Sequence, residues 1–68
     1  ENIFVENIAI LNLLGERVRI IEVHNQTDGV VFWDGSNDFG QAVTAGIYFI
    51  YFYHNSRLEL IRKVLFLK

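Results

Sequence analysis

The side chains best suited to acid–base work or metal ligation are two histidines and eight carboxylates, and there is no cysteine. His24 and His54 each precede an asparagine in a turn-rich setting, which suits a solvated or capping imidazole better than a general base oriented by a carboxylate. The chain has no His-Glu-x-x-His, no glycine loop of phosphate-cradling spacing and no serine in a nucleophile-elbow pattern. Glu1, Glu6, Glu16, Glu22 and Glu59 are scattered through strand-like and turn-like segments as a solvated face would be. These residues point away from an enzyme. One run has the look of an ion site: Asp34, Ser36 and Asp38 alternate oxygen donors like the first half of a calcium loop, with Asn37 between them. Gly40 comes one place too late for that loop, and no bidentate glutamate follows. Asx turns that satisfy loop amides account for the same residues without an ion. No cofactor is expected, and calcium is the one ion the residues bring to mind.

The cations narrow the partners. Arg17 with Arg19, and Arg62 with Lys63, are too sparse for a nucleic-acid footprint in a chain of 68 residues with net charge -2. No apolar run reaches the roughly 18 residues of a membrane span. The first residues lack the basic, apolar and small-residue order of a signal peptide, so the chain is read as a piece of something longer or as targeted by another segment. Without cysteine, neither a disulfide nor a thiolate zinc site can staple the fold. A chain this short buries only about 60% of the surface its unfolded form exposes, so its core is marginal unless a partner helps.

The elements that must position these residues are strands. Runs rich in Ile, Val, Phe, Tyr and Leu alternate with clusters of Gly, Asn, Asp and Ser, which predicts strands over 3–12, 17–23, 30–33, 47–53 and 58–67. Leu58, Ile61, Val64 and Leu65 also satisfy a helical period, leaving a helix as the alternative in the first or last segment. Asn12-Leu13-Leu14-Gly15 fits a type I turn closed by a left-handed glycine and should join the first two strands as a hairpin. A second turn is expected over 25–29, and His54-Asn55-Ser56 should join the last two strands. The polar stretch over 34–46 is the one loop with room for a site. The segment 47–53 is apolar or aromatic on both faces, as is Val64-Leu65-Phe66-Leu67. Either exposed tyrosines account for the first, or a partner covers the surface.

From Trp33 the chain reads Trp33-Asp34-Gly35, then Asp38, Gly40, Val43 and Gly46-Ile47-Tyr48-Phe49. This resembles the Trp-Asp-Gly to Gly-Ile-Tyr block of the FlgD-type immunoglobulin-like domain, a family that includes C-terminal sorting domains of the type 9 secretion system. Upstream, Asn12, Gly15 and Val18 look like that family's hairpin. Downstream, Lys63-Val64-Leu65-Phe66-Leu67-Lys68 is similar to the basic-apolar-basic ending of sorting domains. Two features depart from the family pattern. There is no proline, hence no Asn-Pro pair opening an earlier strand, and the segment from Gly29 to Trp33 is slightly short.

The resemblance implies a single immunoglobulin-like antiparallel β-sandwich over 1–68, lacking one or two N-terminal strands, with cover supplied by a preceding domain or a partner. Asn12, Gly15, Trp33, Asp34, Gly35, Asp38, Gly40, Val43, Gly46 and Tyr48 are then structural. It further implies a non-catalytic domain that directs a larger exported protein to the type 9 machinery, hence a secreted or cell-surface location and secretion-machinery partners. The recognised strand would be Arg62, Lys63, Val64, Leu65, Phe66, Leu67 and Lys68. Two alternatives stand beside it: an assembly module like the C-terminal domain of the flagellar hook-capping protein, and a spacer for an extracellular hydrolase.

Overall fold

The computed structural model describes residues 7–23 and 32–67. It contains strands β1 Asn7–Leu11, β2 Arg17–Glu22, β3 Gly46–His54 and β4 Arg57–Phe66. These make one antiparallel sheet in the order β2-β1-β3-β4. The protein is all-β, as its β-branched and aromatic runs predict. The helical alternative for the last segment does not occur, because β4 is extended through its ten residues and pairs with β3 along its length.

Each hairpin follows from its turn residues. After β1 the chain reverses at Gly15, whose φ of +83° only glycine adopts without strain. Asn12 leaves the strand there because its side chain is taken up by the turn, its Oδ1 accepting the amides of Leu14 and Glu16. Between β3 and β4 the reversal needs only Asn55 and Ser56, both at positive φ (51° and 61°), the signature of a tight type I′ hairpin. Each hairpin also carries a register shift. In β2 it falls at Val18, and in β4 at Glu59, which the ladder passes over between Leu58 and Leu60.

The sheet is open, and a sandwich is not seen among the described residues. One face carries the core of Ile8, Ile10 and Tyr48, with Ile21, Ile50, Phe52, Val64 and Phe66 packed around it. What covers that face is an irregular segment rather than a second sheet, contributing Trp33 and Val43. The expected strand over 30–33 is corrected here for Phe32 and Trp33, which lie in irregular backbone. The Trp33 indole turns into the core and its N–H donates to the Ser36 carbonyl at 2.8 Å, a tight local closure that a ladder would not permit. Val30 and Val31, and the turn expected over 25–29, lie outside the described residues.

The opposite face follows from alternation along the strands. Ala9, Leu11, Phe49, Tyr51 and Tyr53 lie on it, with Ile61 and Leu65 opposite Tyr51 and Ile47 in the β3–β4 register. Apolar character on both faces of β3 is therefore accommodated in two ways. One face is roofed by the loop, and on the other, among the described residues, the neighbouring strands and the half-buried tyrosines supply the shielding.

Candidate functional site

The Trp-Asp-Gly block is built as a roof. Trp33 packs edge-on to Tyr48 with centroids 5.2 Å apart and lies 5.1 Å from Phe66. Tyr48 is buried, and its hydroxyl donates to the Thr44 carbonyl at 2.6 Å. Val43 ties the end of the roof to its beginning, its amide donating to the Gly35 carbonyl at 2.9 Å. Gly35 rests directly on the Phe66 ring, where a Cβ would come within 2.8 Å of Cε1. Gly46 opens β3.

Two turns in the described chain share one design, a short internal repeat that sequence reasoning missed. In Asn12-Leu13-Leu14-Gly15-Glu16 and in Asn37-Asp38-Phe39-Gly40-Gln41, the asparagine Oδ1 accepts the amides two and four residues on. Its Nδ2 donates to the side chain of the closing Glu16 or Gln41, and its carbonyl accepts the amide of Gly15 or Gly40. Asparagine is suited to this because one short side chain carries both an acceptor and a donor. The signal was legible as Asn-x-x-Gly-Glu/Gln twice over. Each turn holds an apolar residue at its tip, Leu14 at 83% exposure and Phe39 at 86%.

Asp34 and Asp38 clamp the roof to β2. Asp34 Oδ1 accepts from the amide and hydroxyl of Ser36, and Arg19 Nη1 reaches both Asp34 and the Ser36 hydroxyl. The Ser36 hydrogen bonds, with Arg19 adding to them, hold the Asp34 carboxyl below its ordinary value of 3.8. Asp38 uses one oxygen on the Ile20 amide and the other on the Arg17 guanidinium, both at 3.0 Å. The backbone bond from Ile20 is the main cause that lowers its pKa. The Asp38 amide in turn donates to the Val18 carbonyl at 3.0 Å. Both carboxylates are thus drawn to different guanidinium groups rather than toward a common centre, which favours the Asx-turn reading over the calcium loop. Arg17 and Arg19 were not recognised in the sequence as partners of this loop, because their mates lie 15 to 21 residues away.

These bonds also treat the two sheet edges differently. On β2 the loop occupies the outward Val18 carbonyl and Ile20 amide, which blunts that edge. At the other end of the sheet order is β4, with Arg57, Glu59, Arg62 and Lys63 exposed along it. Of the expected recognition strand, Val64 and Phe66 are half-buried on the core side, while Leu65 and Leu67 are 64% and 71% exposed. Lys68 lies outside the described residues. His54 ends β3, paired in register with Arg57, and His24 is outside the described residues. Among the described residues no three His, Asp or Glu side chains group as metal ligands, and no helix is long and apolar enough to cross a membrane. No protein-family model, curated protein or solved structure matches the chain.

Proposed function

We propose that this chain is a non-catalytic sorting domain, a recognition surface by which a larger exported protein is taken through the type 9 machinery to the cell surface. The observation that carries the reading is β4, which ends the sheet order among the described residues and sets solvated Leu65 and Leu67 beside the cationic Lys63. An edge strand offers main-chain groups to a receptor strand, and its alternate side chains give that pairing specificity. The block from Trp33 to Tyr48 supports the same reading as the scaffold of β4, since Gly35, Trp33 and Tyr48 all rest on Phe66. An immunoglobulin-like sandwich, with a second layer on this sheet, belongs to the same proposal. So does cover supplied by a preceding domain or by the secretion machinery.

The test is export of a reporter fused ahead of residues 1–68 in a bacterium that has the type 9 machinery. The fusion is expected at the cell surface or in the medium, and removal of 63–68 is expected to leave it in the periplasm. Normal export of the shortened fusion would falsify the proposal. The open face bearing Phe49, Tyr51 and Tyr53 favours the assembly-module alternative, which predicts no export of the reporter by either fusion.

A further inference from the structure

Asp34 and Gly35 are a pair with chemistry of their own. An aspartate followed by glycine can close into a five-membered cyclic imide, because glycine has no Cβ to hold its amide nitrogen away from the preceding carboxyl carbon. The Asp34 side chain is 73% exposed, so water reaches it, whereas Gly35 is buried against the Phe66 ring. We propose that Asp34-Gly35 is a modification site, at which aspartate converts to isoaspartate once Asp34 is released from Ser36 and Arg19.

The conversion balances with water alone. The Gly35 nitrogen attacks Asp34 Cγ, and the new C–N bond forms as a carboxyl C–O bond breaks. The hydroxyl of the protonated carboxyl leaves with the amide proton as water. A water molecule then adds to either imide carbonyl and reopens the ring, giving back aspartate or giving isoaspartate, and nothing is oxidised or reduced.

In the fold both partners of that ring closure are held. Asp34 Oδ1 accepts the Ser36 amide at 3.0 Å and the Ser36 hydroxyl at 2.5 Å, and Arg19 Nη1 lies 3.3 Å from the same oxygen. Donors gathered on one oxygen favour the ionised carboxylate, which has no hydroxyl to lose. Gly35 is wedged against Phe66, and its carbonyl accepts the Val43 amide at 2.9 Å. Closure therefore waits on local opening of the roof. Isoaspartate carries the main chain through Cγ, one methylene longer, and leaves its carboxylate on Cα. The bond from the Trp33 indole to the Ser36 carbonyl spans that lengthened link, and the Gly35 contact with Phe66 adjoins it. Conversion is thus expected to turn Trp33 out of the core. The modification goes beyond the sorting proposal and does not depend on it, since its readout is covalent chemistry rather than export.

The experiment incubates the 68-residue chain at mildly acidic pH, folded and in urea. Isoaspartate is located by electron-transfer fragmentation, which separates Asp34 from Asp28, the other aspartate before a glycine. Conversion at Asp34 is expected to be at least about tenfold slower in the folded chain than in urea, because only the opened fraction reacts. Arg19→Gln and Ser36→Ala are each expected to speed the folded reaction at least about threefold, by removing one donor from the carboxylate, and to leave the rate in urea unchanged. Ser36→Thr keeps the hydroxyl and is expected to react like the native chain. Ile10→Val, which loosens the core away from the roof, controls for general loss of stability and is expected to leave the folded rate near native. The isolated isoaspartate form is expected to show red-shifted emission from Trp33, the one tryptophan. Equal rates folded and in urea, donor variants no faster than Ile10→Val, or a converted chain with native emission would each overturn the proposal.

Discussion

Gly35 has two reasons to be glycine, and they act together. Its φ is +80°, and the space where a Cβ would go is filled by the Phe66 ring. That ring is held by Trp33 and Tyr48, so it has little room to yield. Gly40 has the same φ, but a Cβ there would meet nothing within 4 Å, so it isolates the backbone contribution. Left-handed backbone costs a side chain about 1–2 kcal/mol, and forced overpacking adds about 1–3 kcal/mol. Gly35→Ala is therefore expected to lose about 2–5 kcal/mol in urea unfolding, and Gly40→Ala only about 1–2 kcal/mol. Equal losses would mean that the Phe66 contact contributes nothing. The aspartates at this scale are explained by their bonds. Asp34 organises Ser36, and Asp38 caps β2 at the Ile20 amide.

Among the elements, the β3–β4 hairpin gives the cleanest test of turn chemistry. A type I′ turn asks for positive φ at both central positions and strongly prefers Asn-Gly. Asn55 suits the first, but Ser56 at φ 61° bears a strain that glycine would relieve. Ser56→Gly is expected to raise stability by about 1 kcal/mol, seen as a shift of the denaturation midpoint at constant slope. A lower midpoint would show that the Ser56 side chain matters more than its backbone. Much of the hairpin pairing was readable in advance, because Asn12-Leu13-Leu14-Gly15 and His54-Asn55-Ser56 interrupt apolar runs with residues that tolerate turns. The failure at Phe32 and Trp33 has a simple cause. A run of aromatic residues looks the same whether it pairs in a ladder or folds over a sheet face, and only the Trp33 bond to Ser36 tells them apart.

Across the whole molecule the core is thin: Ile10 is the one large side chain fully buried among the described residues. A chain of 68 residues holds only roughly 3–10 kcal/mol by the usual per-residue scaling. The clamp between loop and sheet therefore matters to the global balance. Asp34 and Asp38 both have lowered pKa values in the folded state, so each contributes stability that is present above the ordinary aspartate value of 3.8. That contribution is lost as pH falls through the lowered folded values. Thermal melts at pH 7, 5, 4, 3 and 2 are expected to show a decline confined to the acid side, and Asp34→Asn with Asp38→Asn together should flatten it. An unchanged acid slope in that double variant would remove these aspartates from the account. The Asp34 carboxylate is solvent-facing, so its share of the effect is also expected to shrink in high salt.

The amino-acid sequence by itself determined that the chain is all-β, where its hairpins turn and which residues form the Trp-Asp-Gly block, because these follow from local preferences for extended backbone, positive φ and Asx turns. It also contained the duplicated Asn-x-x-Gly-Glu/Gln turn, whose bonds are all local. Only the tertiary structure decided that the loop roofs one face, that Arg17 and Arg19 clamp it, and that β2 is capped while β4 ends the sheet order among the described residues. These depend on which strands become neighbours. The order β2-β1-β3-β4 is set by burial of Ile8, Ile10 and Tyr48 together, a long-range condition that no run of adjacent residues encodes.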